Sequence, residues 1–181
     1  MEVVELELAG LLLVKPRVFG DPRGFFVESY HAERYRHAGI GCEFVQDNHS
    51  RSARDVVRGL HYQEYPGQAK LVYVTSGSVF DVAVDLRPDS PTFGRWHGRY
   101  LDDRGHDQLF IPVGFAHGFC VMSDEVDFVY KVSAPYDAAM ERTIRWDDPD
   151  LGVEWPSRTP ILSQRDRVGE SFAEFAARVR R

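Results

Sequence analysis

Cysteine is scarce in this 181-residue chain, which contains only Cys42 and Cys120. An isolated pair does not form a disulfide framework in a chain without secretory features, so we expect two free thiols. The sequence also lacks a long apolar run, because the stretch at residues 11–14 is far too short to cross a bilayer. Its acidic start, MEVVELELAG, has no basic segment of the kind that begins a signal peptide. We therefore expect a cytoplasmic protein that does not bind membranes.

Positive charge is also in short supply. The chain has 22 Lys and Arg against 28 Asp and Glu, a net charge of −6. Nucleic-acid binding usually needs a basic surface that displaces counterions, so we expect no nucleic-acid partner. With 43% apolar and 28% charged residues, the composition is that of an ordinary globular protein. The length suits one domain over residues 1–181, with a barrel core at about 3–155 and a C-terminal loop and helix at 156–181.

Helical patterns are few, and short runs of Val, Phe, Tyr and Leu alternate with Gly, Pro, Asp and Ser clusters. This pattern is typical of an all-β sandwich or barrel. Two helices are predicted, at residues 31–38 and 170–180. The predicted strands cover residues 6–16, 25–29, 43–49, 56–63, 69–75, 79–86, 108–111, 118–122 and 128–132.

The strand at residues 79–86 alternates strictly between apolar residues and a second face that carries Asp81 and Asp85. We expect one face to pack and the other to carry charge. Gly77, within residues 75–78, predicts a tight hairpin to the preceding strand, because glycine adopts positive φ without steric cost.

Polar side chains concentrate in residues 44–50, 58–63 and 68–70. Strand periodicity places several of them on common faces, where they can line one barrel mouth: Gln46 with Asn48, His61 with Gln63, and Lys70. Arg58 and His61 have opposite parity, so both can point into one cavity only if Gly59 carries a bulge or bend.

Two segments are similar to the two halves of a cupin signature, residues 59–61 (GLH) and 112–119 (PVGFAHGF). Metal-binding cupins use a His-x-His pair and a nearby Glu, since an open site needs about three protein ligands. Gln63 stands in place of the second His. His61 and His117 alone are too few ligands, although Glu64 or Asp81 could assist. We expect no metal and no other cofactor, and a metal-dependent cupin enzyme stays an alternative.

Nine ordered segments resemble the dTDP-4-dehydrorhamnose 3,5-epimerase family: residues 19–28, 44–50, 58–63, 68–70, 81–87, 90–94, 111–119, 146–149 and 161–166. The resemblance implies a cupin-like double-stranded β-helix (jelly-roll) barrel with short peripheral helices. It also implies a homodimer that acts on dTDP-4-dehydro-6-deoxy-D-glucose and inverts carbons 3 and 5 to give dTDP-4-dehydro-L-rhamnose.

The resemblance also implies roles for four residues. Removing a proton beside the carbon-4 ketone gives an enolate, so the reaction needs a base, an oxyanion stabiliser and an acid. By resemblance, His61 is the base and Asp166 orients it. Lys70 then faces the enolate oxygen, and Tyr130 reprotonates carbon 5 from the other face of the sugar.

The remaining residues implied by the resemblance bind the substrate, with Arg23 and Glu28 supplied by the partner subunit. This chain has Arg165 where the family commonly has Lys, which keeps the charge and changes the geometry. The full substrate-binding set is Arg23, Glu28, Gln46, Asp47, Asn48, Arg58, Lys70, His117, Tyr136, Glu141 and Arg165.

Two further functions stay open at this point. Relatives that invert only carbon 3 or only carbon 5 of related deoxysugars keep most of these residues, and pocket shape decides between them. A catalytically silent sugar-nucleotide-binding module is the other alternative, but it leaves the complete acid and base set without a purpose.

Overall fold

The computed structural model describes residues 1–180, which form thirteen strands and three short helices. The helices are α1 (Ala32–His37), α2 (Gln164–Arg167) and α3 (Phe172–Val179). The strands are β1 (Glu2–Glu5), β2 (Leu12–Lys15), β3 (Val18–Asp21), β4 (Gly24–Val27), β5 (Gln46–Ala53), β6 (Val57–Gln63), β7 (Lys70–Ser76), β8 (Ser78–Asp85), β9 (Trp96–Asp102), β10 (Gln108–Ile111), β11 (Phe115–Val121), β12 (Glu125–Val132) and β13 (Glu141–Thr143).

Two antiparallel sheets face each other. The first has the order β1-β2-β10-β7-β12-β5, and the second has the order β13-β6-β11-β8-β9. From β5 to β13 the chain passes repeatedly between the two sheets, which is the jelly-roll arrangement. Strands β3 and β4 form a separate hairpin. The predicted all-β, cupin-like jelly-roll with short peripheral helices is confirmed.

Three apolar clusters hold these layers together. The first fills the space between the sheets and includes Val72, Leu109 and Phe128. A second covers the outer face of the five-stranded sheet, where α3 packs through Phe175. The third covers the outer face of the six-stranded sheet, against α1 and its buried Tyr35. Because β8 is covered on both faces, it can carry hardly any exposed side chain.

The predicted charged face of β8 is present, but it is buried inside the barrel. Asp81 and Asp85 are both fully buried, in the space between the sheets. Burial by itself raises the pKa of Asp85. The carboxylate accepts hydrogen bonds from Arg87, Ser90 and Thr92, however, and these bonds lower its pKa to about 2 overall. A buried carboxylate is tolerated when donors surround it in this way.

Two other sequence predictions need correction. The connection at Gly77 is a turn with φ of +84°, but β7 and β8 lie in different sheets, so it is a corner and not a hairpin. A glycine at positive φ suits either reversal. The predicted strand at 6–16 is a strand only over residues 12–15, because residues 7–10 turn at Gly10, where φ is +86°.

Most of the other predicted strands are present with shifted ends, and residues 108–111 are matched as predicted. The sequence prediction missed β1, β3, β9, β13 and helix α2. Both predicted helices are present as α1 and α3, and α3 begins with a capping box between Ser171 and Glu174. No helix in residues 1–180 is long and apolar enough to cross a membrane.

Candidate active site

A cleft of about 350 Å³ opens between the two sheets at one end of the barrel. The six-stranded sheet contributes side chains from β5, β7 and β12, and the five-stranded sheet contributes β6, β11 and β13. The cleft is lined by Gln46, Asn48, Ser50, Arg58, His61, Gln68, Lys70, His117, Phe119, Phe128, Tyr130, Tyr136, Glu141 and Arg165. Ten of these residues are among the candidates predicted from the sequence, and they lie together as the prediction of one polar barrel mouth requires.

A bulge in β6 brings Arg58 and His61 to the same side. The register against β11 shifts between His117, which pairs with His61, and Phe119, which pairs with Arg58. Gly59 has φ of +134°, and a Cβ there would lie 2.6 Å from the Cα of Gly118. Only glycine fits such a close approach of two backbones. The predicted bulge at Gly59 is confirmed.

His61 is paired with a buried carboxylate. Its Nε2 lies 2.5 Å from Oδ1 of Asp166, whose side chain is 4% exposed. Ser163, the N-cap of α2, donates to the other oxygen of Asp166 at 2.8 Å. Burial alone raises the pKa of Asp166, but the hydrogen bonds from His61 and Ser163 outweigh it and lower the pKa overall. The carboxylate stays ionised and stabilises a protonated imidazole.

Lys70 lies at the start of β7, deep in the cleft, with 8% of its surface exposed. Burial lowers the pKa of its ammonium group from 10.5 to about 8, although the nearby carboxylates of Glu141 and Asp81 act in the opposite direction. Its Nζ lies 3.4 Å from the backbone oxygen of His61. The cleft thus holds a cation close to the His61 backbone, in surroundings of low dielectric constant where its charge acts strongly.

Tyr130 projects from β12 in the six-stranded sheet, which faces the sheet that carries His61. It pairs with Asn48 of β5 on one side and with Val72 of β7 on the other. The Tyr130 side chain therefore shares a face of the sheet with Asn48 and with Lys70, since Lys70 is two residues before Val72. Burial raises the pKa of the Tyr130 phenol. His61 and Tyr130 therefore lie on opposite walls of the cleft, one from each sheet.

The outer part of the cleft is rich in paired polar groups. Gln46 donates to Asn48 at 2.8 Å and accepts from the backbone nitrogen of Tyr136 at 3.1 Å. Arg165 donates to Glu141 at 2.6 Å. Burial raises the pKa of Glu141, but the bonds from Arg165 and Tyr136 lower it overall. Tyr136 is 55% exposed, so its ring is accessible at the cleft mouth.

The sequence matches the family described as dTDP-4-dehydrorhamnose 3,5-epimerase over residues 5–174. A protein named dTDP-4-dehydrorhamnose 3,5-epimerase from Shigella flexneri is 51% identical over 96% of this chain and 97% of its own length. The chain belongs to the dTDP-4-dehydrorhamnose 3,5-epimerase family. The predicted family and enzyme class are therefore confirmed.

Two further relatives bear on substrate and regiochemistry. A crystal structure of the Legionella pneumophila dTDP-6-deoxy-D-glucose-3,5-epimerase, in complex with dTDP-4-keto-L-rhamnose, has a TM-score of 0.92 at 44% identity and covers 96% of both chains. A dTDP-4-dehydrorhamnose 3-epimerase from Streptomyces niveus is 43% identical over 96% of this chain and 85% of its own. Family members thus include 3,5-epimerases and a 3-epimerase.

Three residues predicted to bind the substrate, and Gln63 from the predicted barrel mouth, lie outside this cleft. Asp47 is on the outer face of β5, where Lys131 binds it at 2.8 Å. Arg23 is in the turn of the β3–β4 hairpin, with its side chain 90% exposed and paired with Asp21, and Glu28 follows that hairpin. Gln63 instead holds the loop at residues 133–140, accepting from the backbone nitrogen of Asp137 at 3.0 Å.

Residues 1–180 contain no group of three or more His, Cys, Asp or Glu side chains placed to hold a metal ion. Glu64, a possible third ligand, points away and pairs with Arg142 at 3.0 Å and Arg178 at 2.7 Å. Asp81 instead binds Nε2 of His117 at 2.8 Å. The expectation that this epimerase needs no metal stays a prediction.

Sequence reasoning missed four residues that line the cleft. Ser50 continues the face of Gln46 and Asn48 at the same two-residue spacing, and that signal could have identified it. Phe119 and Phe128, whose rings lie 4.2 Å apart, form an apolar wall that composition alone cannot distinguish from core. Gln68 precedes β7 and donates to the backbone oxygen of Ala134 at 2.8 Å.

Proposed function

We propose that this chain inverts carbons 3 and 5 of dTDP-4-dehydro-6-deoxy-D-glucose to give dTDP-4-dehydro-L-rhamnose, without a metal or cofactor. The observation that carries the proposal is the convergence of His61, Lys70 and Tyr130 in one cleft, with the base and the acid on opposite walls and Asp166 bonded to His61. An inversion needs this arrangement, because the proton must leave one face of the carbon and return to the other.

His61 acts as the base. The hydrogen atoms on carbons 3 and 5 are acidic because both carbons flank the ketone, and the imidazole takes one of them at a time. Asp166 then stabilises the imidazolium through the 2.5 Å contact at Nε2, which leaves Nδ1 for the substrate proton.

Lys70 stabilises the enolate. As the proton leaves, negative charge moves to the carbon-4 oxygen, and a buried ammonium group at that oxygen lowers the barrier more than an exposed one would. With a pKa of about 8, most of the Lys70 side chains are protonated at pH 7. Lys70 can therefore supply charge at neutral pH although it is buried.

Tyr130 returns a proton to the opposite face. Its phenol stays protonated because burial raises its pKa. The step balances, since His61 gains one proton, Tyr130 gives up one, and both exchange with water before the next inversion. Repeating the sequence on the second carbon completes the reaction.

The outer cleft binds the nucleotide in this proposal. Arg58 and Arg165 are cationic partners for the pyrophosphate, and the exposed ring of Tyr136 is placed to stack on the thymine. A second subunit supplies Arg23 and Glu28. The exposed rings of Phe25 and Phe26 on the same hairpin, 62% and 69% accessible, support a homodimer that covers them. The predicted cytoplasmic location stays a prediction.

A 3-epimerase is the second candidate, because the Streptomyces niveus relative keeps 43% identity with this chain. Such an enzyme would use the same base and enolate stabiliser, and it would return the carbon-5 proton to its original face. The two candidates therefore differ in product and not in the first chemical step.

NMR analysis of the product decides between these candidates. Purified protein is incubated with dTDP-4-dehydro-6-deoxy-D-glucose together with a 4-ketoreductase that traps the product. We expect the dTDP-L-rhamnose configuration at both carbons, and none with His61→Ala. Inversion at carbon 3 alone would establish the second candidate, and recovery of unchanged sugar with folded protein would contradict both.

A further inference from the structure

A second histidine and aspartate pair lies beside the first. His117 on β11 pairs directly with His61 on β6, and on its other side β11 pairs with β8, which carries Asp81. Nε2 of His117 lies 2.8 Å from Oδ2 of Asp81. His117 lines the cleft, whereas Asp81 is fully buried behind it.

An apolar residue at position 81 would serve the fold about as well as Asp81 does. Its other oxygen, Oδ1, is buried and makes no hydrogen bond to any residue in 1–180. A buried carboxylate with an unpaired oxygen costs stability, so its presence calls for an explanation other than the fold. Its one side-chain partner among the described residues is the cleft histidine, which points to a role through His117.

The pairing determines which ring nitrogen of His117 is free to form a hydrogen bond with a ligand. A carboxylate only accepts hydrogen bonds, so the Nε2 of His117 must carry the proton. In a neutral ring the other nitrogen, Nδ1, is then a bare acceptor. Burial lowers the pKa of His117, and the nearby charges of Lys70 and His61 lower it further against the effect of Asp81. The neutral ring is thus the favoured form.

A bare acceptor suits a hydroxyl group and does not suit a phosphate. We propose that Asp81 is a positioning residue that holds His117 in the Nε2-protonated form, so that Nδ1 accepts a hydrogen bond from the carbon-2 or carbon-3 hydroxyl of the substrate's hexose. This inference rests on the proposed function, because those are the only hydroxyl groups on that hexose ring. It places His117 at the sugar, beside His61 and Lys70.

The experiment measures binding and not turnover, because Asp81 also helps to keep Lys70 protonated and its loss would alter catalysis separately. Calorimetry compares four unreactive ligands: dTDP-glucose, its 2-deoxy and 3-deoxy analogues, and dTDP alone. The proteins are wild type, Asp81→Asn and Asp85→Asn. Asp85 is the matched control, since it is equally buried on the same face of the same strand and does not line the cleft.

Wild type should bind dTDP-glucose about five to ten times more tightly than one of the two deoxy analogues, the usual effect of one hydrogen bond. In Asp81→Asn the amide can donate or accept, so His117 is no longer held in one form, and this preference should fall to about twofold or less. Binding of dTDP alone should not change. Asp85→Asn should lose stability and keep the full preference.

Three results would overturn the inference: no preference in wild type, an undiminished preference in Asp81→Asn, or a loss of dTDP affinity equal to that for dTDP-glucose. If Asp81→Asn does not fold, His117→Ala with the same ligands tests the hydrogen bond to the hexose, and an undiminished preference in that variant overturns the inference. Failure of the proposed function is distinguishable, because it appears as wild-type protein that does not epimerise the 4-keto sugar.

Discussion

Lys70 should destabilise this protein at neutral pH, although the proposed reaction depends on it. Its side chain is 8% exposed, and burial lowers its pKa from 10.5 to about 8. At about 1.4 kcal/mol per pH unit, this difference corresponds to a cost of about 3 kcal/mol for burying the charge. Lys70→Met keeps the length and removes the charge. It should raise the free energy of unfolding at pH 7 by at most about 3 kcal/mol and abolish most of the turnover.

The pH dependence of this gain follows from the direction of the shift. Below pH 8 both the folded and the unfolded chain hold the proton, so the full cost is present. Between pH 8 and 10.5 the folded protein has released the proton and the unfolded chain still binds it, so wild-type stability rises with pH in this window. The advantage of Lys70→Met should therefore be largest at pH 7 and shrink towards pH 10.

Urea unfolding of both proteins at pH 7 and near pH 10 measures this difference, since other titrating groups cancel between them. Lys131→Met is the control, because its ammonium is paired with Asp47 near the surface and its removal should bring no gain. Wild-type kcat/KM should fall as the pH rises above about 8, when Lys70 loses its proton. A Lys70→Met protein less stable than wild type at pH 7, or equally stabilised at both pH values, would refute the reasoning.

Four other results are expected. His61→Ala should abolish both deuterium uptake from heavy water and inversion at both carbons. Tyr130→Phe should keep some exchange and lose inversion at carbon 5. Normal carbon-5 inversion in Tyr130→Phe, measured by NMR, would show that another group is the acid. Asp166→Asn should lower kcat about a hundredfold or more with intact circular dichroism, because the orientation of His61 is lost; near-normal kcat would exclude that role. Arg23→Ala should raise KM and leave the fold intact in steady-state and circular dichroism measurements, and a fully active monomer by light scattering would contradict the shared site. EDTA treatment should leave turnover unchanged, and activity restored by one divalent ion would contradict the metal-free mechanism.

The sequence predicts much of the cleft because strand periodicity is local. Gln46 and Asn48 share one face of β5, and the structure places both in the cleft and Asp47 on the opposite face. Alternation alone therefore separates Asp47 from its neighbours. The opposite parity of Arg58 and His61 likewise predicts the bulge at Gly59.

What the sequence could not predict depends on which layers cover a strand. Asp81 and Asp85 look like the exposed face of β8, and only the facing sheet and the C-terminal segment bury both sides of that strand. The same holds for Gly77, since a turn signal does not reveal which sheet the next strand joins. The helical turn α2 is four residues long, too short for periodicity to show.

The position of Asp166 along the chain has a consequence for how the enzyme becomes active during synthesis. His61 is in β6, whereas Asp166 comes 105 residues later, after the last strand, and its segment docks through a backbone contact between Ile161 and Val57. A ribosome therefore completes every strand before it delivers Asp166. In the proposed mechanism, catalytic competence therefore begins when residues 161–167 attach to β6, and a protease that cuts just before this segment would abolish turnover while leaving the strands of the barrel uncut.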